Sequence, residues 1–156
     1  MALPRRARCA DLIGLVERTR VGIVRPVNED EVRAGLASTP SYRYAEVEGR
    51  QLFVAGQVPR DTSGHIVWIG NSKQQAIACL DNLRTLAEVY GFAVNDIRQL
   101  TIYVVGEHQN LLDAWDAVVS WFSGDVPPAT LLGVNLLGYA QQLVEIDAIV
   151  VQRGDA

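Results

Sequence analysis

The chain has 156 residues, the length of one ordinary domain and enough to bury a single core without disulfides or structural metals. Hydrophobic residues make up 49% and charged residues 21%, the balance of a folded globular protein, and no apolar run approaches the length of a membrane span. A net charge of −4 provides none of the clustered Lys and Arg that nucleic-acid phosphates require, so neither nucleic acid nor a membrane is an expected partner.

Residues 1–40 are rich in arginine and carry the acidic run Glu29-Asp30-Glu31. The apolar piece at 12–16 is too short for a secretory core, and Cys9 and Cys79 are too far apart to suggest an extracellular disulfide framework. Both are expected to be reduced thiols in a cytoplasmic protein. Apolar periodicity is weak here, with a short strand expected at 21–24 and a short helix at 30–36. The segment reads as an extension that wraps the domain, which spans 41–152 and is followed by a tail at 153–156.

Regular structure is expected from residue 42. Residues 42–48 alternate imperfectly, Gly49-Arg50 makes a tight connection, and 51–55 return as the second arm of a hairpin. Gly56-Gln57 then breaks the pairing, and Ser63-Gly64 turns into a third short segment at 65–68. Ser72 caps a helix whose apolar positions Ala76, Leu80, Leu83, Ala87 and Tyr90 fall three and four apart, with Gly91 just past its end. The β-branched run 97–105 predicts a strand. Leu111, Trp115, Val118 and Phe122 mark one face of a second helix, with Asn110 as its cap and Asp113 three residues on. Strands at 130–137 and 143–151 complete an α+β order in which helical crossovers link strands of one mixed sheet, both helices on one face.

The last strand bears on assembly. Val144, Ile146, Ala148 and Val150 share one face; Leu143, Glu145, Asp147, Ile149 and Val151 share the other, so both read as largely apolar. Two helices cover one face only, and the second is expected to be covered by further copies of the chain.

Metal chemistry finds little support: His65 and His108 stand in expected loops, away from any ligand-like spacing, and read as surface residues. The stretch GHIVWIGNSK has the wrong glycine and lysine order for a phosphate loop. No nucleophile elbow or serine–histidine pair is evident. What remains is a cluster at strand ends: Tyr42, Gly56-Gln57, Pro127-Pro128-Ala129-Thr130 and Glu145. A carboxylate on an apolar strand face must be hydrogen-bonded or held as the neutral acid, because an unpaired buried charge costs several kcal/mol. Glu145 is therefore either an acceptor for a turn or a poised acid/base group.

At this cluster the chain resembles the Rid family, also called YjgF. The resemblance runs through FVAGQVPRD, QQAIACLDNLRTLAEVYG, IRQLTIYVV, WFSGDVPPAT and LVEIDAIVV, in the family's order and spacing. It implies a chorismate-mutase-like fold, a homotrimer whose three sheets form a central β-barrel, and a small-molecule cleft between subunits. Better known relatives hydrolyse imines and enamines to 2-oxo acids and ammonia without metal or cofactor. In them an arginine after Pro-Ala clamps the substrate carboxylate, a glutamate in the last strand orients water, and a tyrosine near the first strand lines the cleft. Tyr42, Gly56, Gln57 and Glu145 match that pattern. Thr130 stands in the arginine position, after Ala129; Ala55 replaces the usual serine, and Trp115 a helix asparagine. Trp115 also has the spacing of an ordinary core residue.

The departures remove a fixed cation and two small polar groups. Loss of a bidentate carboxylate clamp costs several kcal/mol, or about a thousandfold in affinity. The expected activity is thus hydrolysis of an imine or enamine other than the usual 2-imino acids, with Glu145 catalytic and Tyr42, Ala55, Gly56, Gln57, Trp115, Ala129 and Thr130 lining the site. Arg43 and Arg60 are possible displaced cations, although a solvated role is the plainer reading of each. The competing expectation is a non-catalytic trimer that binds a metabolite or a protein. Ribonuclease activity, for which some relatives are named, is the least favoured by the negative charge and the absence of a histidine pair.

Overall fold

A computed structural model describes residues 27–39 and 41–154; the expected strand at 21–24 and Cys9 lie outside them. The elements are α1 (Glu29–Arg33), β1 (Ala45–Glu48), β2 (Gln51–Val54), α2 (Ser72–Val89), a 3-10 turn (Val94–Asp96), β3 (Ile97–Val105), α3 (His108–Trp121), β4 (Ala129–Val134) and β5 (Val144–Val151).

The five strands form one mixed sheet in the order β1-β2-β5-β3-β4, with β3 and β4 parallel and every other pair antiparallel. Because β2 and β3 both run antiparallel to β5, they are parallel to each other, and β5 is slotted between them. Each helix therefore serves as a crossover: α2 carries the chain from β2 past the vacant slot to β3, and α3 carries it from β3 to β4. The β1–β2 hairpin closes through Glu48 and Gln51, with Gly49 at φ +59°, a left-handed conformation that glycine adopts without steric cost.

The core lies between the sheet and these helices. Alternate strand residues Leu52, Leu100, Ile102, Val104, Val144, Ile146, Ala148 and Val150 meet Ala76, Cys79, Leu80, Leu83 and Leu86 of α2 and Ala114, Ala117 and Val118 of α3, all of them buried. A period of two on the strands thus faces a period of three to four on the helices. Each buried Leu, Ile or Val side chain contributes about 1.5–3 kcal/mol of transfer free energy, before ordering entropy is charged against it.

Several sequence expectations shift. Helix α2 is capped by Asn71, whose side chain accepts from the Gln74 N–H, because that extended residue lies one position before the expected Ser72. Helix α3 begins at His108, so Asn110 sits inside the helix and donates to the Val105 carbonyl instead of capping it. Residues 65–68 form no strand; a single bridge joins Ile66 to Arg60, and Trp68 turns the chain at φ +53°.

The second face of the sheet also departs from expectation. It is not a continuous apolar row. Tyr103 donates to the Asp147 carboxylate at 3.0 Å, and Thr130 and Thr101 stand in register beside it. Its apolar pairs are Phe53 with Ile149, in register and 53% and 43% exposed, and Val105 with Val134 between β3 and β4, with Leu132 on the edge strand. Alternation had been read along β5 alone, whereas the composition of a sheet face depends on its neighbouring strands.

The described part of the N-terminal segment lies against the domain. Glu31 is 3% exposed and accepts a 2.7 Å hydrogen bond from the Tyr90 hydroxyl. Asn28 accepts from the Tyr44 N–H and donates to the Tyr42 carbonyl, each at 2.9 Å, which fixes the approach to β1.

Candidate functional site

The site is built around a surplus residue beside β5. Strand β2 pairs with β5 as far as Phe53↔Ile149, and the chain returns to β5 at Gln57↔Ile146. Four steps on one side match three on the other, which is the count of a β-bulge. The pairing that was expected to end at Gly56-Gln57 therefore resumes: Gln57 N–H donates to the Ile146 carbonyl at 2.7 Å, and Ile146 N–H to the Gln57 carbonyl at 3.1 Å. The bulge turns the Cα of Gly56 toward the side chain of Glu145. A Cβ on residue 56 would lie 2.0 Å from Glu145 Oε1, so only glycine leaves that carboxylate its place.

The other carboxylate oxygen is held. The buried Gln142 side chain donates to Glu145 Oε2 at 3.0 Å and to the Val144 carbonyl at 3.2 Å, and its own oxygen accepts from the Tyr139 N–H at 3.1 Å. Glu145 is half-buried and stands opposite Tyr103 in register. Its Oε1 has no hydrogen-bond partner among the described residues. The arrangement is a carboxylate with one oxygen fixed by a buried amide and the other open, the geometry needed to hold and deprotonate a water molecule. Gln57 is fully buried; its amide donates to the Ala55 carbonyl at 2.7 Å, while its Oε1 finds no partner among the described residues.

Beyond the bulge lies a group of aromatic side chains. Tyr42 meets Tyr44 edge to face, ring centroids 6.3 Å apart. The Tyr44 hydroxyl donates to the Ala37 carbonyl at 2.9 Å. The Arg60 guanidinium lies 5.0 Å from the centroid of Tyr139 and donates to the Tyr44 hydroxyl at 3.4 Å. Burial, and then the adjacent Tyr139, raise the Tyr42 phenol to about 12 against the lowering charge of Arg60. Burial likewise raises Tyr44. Behind the sheet, burial and then the charge of Glu145 push the Cys79 thiol well up, which leaves it an inert core group.

The expected site residues fall into separate places within one chain. Glu145, Ala55, Gly56 and Gln57 come together, and Tyr42 joins them through the loop that carries Tyr139. Thr130 shares the open face of the sheet but stands on β4, with β3 intervening and one row away, so two strand spacings and two residues along the strand put it roughly 12 Å from Glu145. Ala129 begins β4 and packs toward the core. Trp115 lies on α3, packed against the core on the helical side of the sheet, the position its spacing alone predicts. Sequence reading missed Gln142 and Tyr139, and it weighed Arg60 as a displaced cation but favoured a solvated role. The one signal for them was the break in β-branched character between β4 and β5, where polar residues sit in an otherwise apolar stretch.

Among the described residues no three His, Cys, Asp or Glu side chains converge as metal ligands. No helix among them is long and apolar enough to cross a membrane. His65 is exposed beside Asp61 at 3.7 Å, and His108 opens α3 instead of standing in a loop.

Comparison with known proteins gives a consistent result. The family described as Endoribonuclease L-PSP matches residues 33–152. A RutC family protein of Pyrococcus horikoshii is 30% identical over 109 residues, covering 69% of this chain and 84% of the relative. Two Escherichia coli structures share the fold: the YjgF gene product, with TM-score 0.67 and 24% identity over 75% of this chain and 92% of its own, and TdcF with bound serine, with TM-score 0.68 and 21% identity over 78% of this chain and 95% of its own.

Proposed function

Because the chain belongs to the Endoribonuclease L-PSP family, the group of YjgF and Rid proteins, we propose that it hydrolyses an imine or enamine intermediate other than the usual 2-imino acids. The observation that carries this reading is the state of Glu145, with one oxygen fixed by Gln142 and the other open above Gly56. Glu145 takes a proton from water as the oxygen attacks the C=N carbon, then returns that proton to nitrogen. The resulting carbinolamine collapses to a carbonyl compound and ammonia, so that imine plus water balances ketone plus ammonia. This reaction requires no metal or cofactor, as in the better known relatives.

The family resemblance supports a homotrimer in which clefts form between copies, so that Thr130 of one copy faces Glu145 and Tyr42 of another across the junction. A threonine hydroxyl offers a single short contact where a guanidinium would offer a bidentate, charge-assisted one. A 2-imino carboxylate is therefore held about a thousandfold less tightly. The serine-bound structure of TdcF supports a second reading, a non-catalytic trimer that binds a small metabolite in the same clefts.

Ammonia release from freshly generated imines, with and without a 2-carboxylate, separates these readings. Neutral or displaced-carboxylate imines are expected to be hydrolysed, 2-iminopropanoate much more slowly, and Glu145→Gln is expected to abolish turnover. Undiminished turnover in Glu145→Gln would remove Glu145 as the base, and no turnover of any imine by the wild type would leave the metabolite-binding reading in its place. Thr130→Arg is expected to raise activity toward 2-iminopropanoate.

A further inference from the structure

Arg60 is anchored before any ligand arrives. Its N–H donates to the Val58 carbonyl at 2.8 Å, it bridges to Ile66, and the Val67 N–H closes onto the Pro59 carbonyl at 2.9 Å. The neighbouring carboxylate, Asp61, is engaged by its own loop, where it accepts from the N–H groups of Ser63 and His65. Arg33, Arg43, Arg84 and Arg98 each meet a carboxylate of this chain, whereas none of the ion pairs among the described residues involves Arg60. It meets tyrosines instead. Its guanidinium stacks on Tyr139 and contacts the Tyr44 hydroxyl, with Tyr42 alongside.

This surrounding is unusual for a half-buried cation. Aromatic faces and neutral hydroxyls attract a guanidinium but do not cancel its charge, and most of its five N–H donors, set in a fixed fork, find no partner among the described residues. Burial keeps the Tyr42 phenol protonated far above neutral pH, so its hydroxyl is a donor and not a competing anion. An anion is what such a group of donors lacks. The subsite is tied to Glu145 through one loop: Tyr139 stacks on Arg60, its N–H binds Gln142, and Gln142 binds Glu145.

We infer that the Arg60 guanidinium and the Tyr42 and Tyr139 hydroxyls form a subsite for the carboxylate of a small ligand whose other end reaches Glu145. Arg60 follows β2, on the side of β5 away from Thr130. The ligand carboxylate is thereby separated by several bonds from the carbon presented to Glu145, which is the substrate class the proposed hydrolysis would act on. This rests on the Glu145 cleft binding a small molecule, but not on any turnover there.

The test is calorimetric binding to the full-length chain, using 4-oxopentanoate, its neutral methyl ester and inorganic phosphate as probes. The wild type is expected to bind 4-oxopentanoate at least tenfold more tightly than the ester or phosphate. Arg60→Gln is expected to erase that preference, and Arg60→Lys to retain part of it. Tyr139→Phe keeps the ring under the guanidinium and is expected to weaken carboxylate binding severalfold without a change in melting temperature. That variant answers the question even if Arg60→Gln fails to fold. An undiminished preference in Arg60→Gln, no preference in the wild type, or equal binding of phosphate would overturn the assignment. Loss of imine hydrolysis in Glu145→Gln with the carboxylate preference intact would support both readings separately. A wild type that binds but never turns over would sink only the hydrolase.

Discussion

Replacing Gly56 with alanine tests the site without knowledge of any substrate. The added Cβ would stand 2.0 Å from Glu145 Oε1, 2.8 Å from its Cδ and 3.0 Å from its Cγ. Ordinary contact between such atoms begins near 3.5 Å, so the carboxylate must retreat by roughly 1.5 Å. A twist of the terminal carboxylate would relieve only the first contact; the crowding of Cγ demands that the whole side chain swing. That motion draws Oε2 off the Gln142 amide, which is buried and donates to it at 3.0 Å. Loss of a hydrogen bond to a charged group costs about 1.5–3 kcal/mol, and the backbone of residue 56 adds nothing because its φ is not in the left-handed region.

The decisive measurement is a double-mutant cycle by urea unfolding at one fixed protein concentration, followed through the fluorescence of Trp115 and Trp121 on α3. Gly56→Ala alone is expected to lose about 2 kcal/mol. In a Glu145→Ala background, where the obstructing side chain is gone, the same change is expected to fall within about 0.5 kcal/mol of neutral. A coupling above about 1 kcal/mol supports the geometry. Equal losses in both backgrounds would show that alanine is resisted by the backbone of the bulge, and the reasoning about the Glu145 carboxylate would be wrong.

Helix capping and a buried phenol give two further expected outcomes. Asn71→Ala should cost about 1 kcal/mol in thermal or urea unfolding by removing the cap on the Gln74 N–H, while Ser72→Ala should be neutral or stabilising, because the Ser72 hydroxyl is buried with no partner among the described residues; the reverse order would restore Ser72 as the cap. Burial, and then the hydrogen bond to Glu31, raise the Tyr90 phenol to about 12. In this window the unfolded chain has released a proton that the folded chain retains, so stability is full below pH 10 and falls as pH rises toward 12. Urea midpoints from pH 8 to 11.5 should show that decline, to which Tyr42 also contributes, and Tyr90→Phe should make it shallower while costing about 1–3 kcal/mol at pH 8 by orphaning the buried Glu31 carboxylate; an unchanged slope would refute the assignment to Tyr90.

Local signals were readable where one residue type decides the outcome. The β-branched run at 97–105 is β3 to the residue, and the periodic stripe ending at Gly91 is α2 to within a position of its cap. The misplaced caps have a common cause. Asn71 and Ser72 are both good caps in isolation, and the choice depends on which side chain reaches a free N–H; Asn110 was likewise a good cap by type, but the helix had already begun at His108. The apolar second face was misread because its polar members, Thr101, Tyr103 and Thr130, come from strands far from β5 in sequence. Glu145 stood out as the first charge in a long apolar stretch. Gln142 and Tyr139 did not, and Arg60 was one of two candidate cations with nothing to choose between them, since each acts through a loop brought to β5 by tertiary pairing.

The bulge links these observations. One surplus residue between Phe53 and Gln57 places glycine, not a side chain, beneath Glu145 and directs the following turn so that Arg60 rises beside Tyr139. With two residues there instead of three, the Gln57 pairing with Ile146 and the Arg60 stacking could not both be kept. The same irregularity therefore frees the carboxylate and sets a cation on one side of it. On the proposed reading, with threonine in place of a clamping arginine, a ligand gains most by lying toward Arg60. Selectivity would then be governed by the distance between the charge a ligand carries and the carbon it offers to Glu145, and a substrate with the two adjacent would satisfy only one of them at a time.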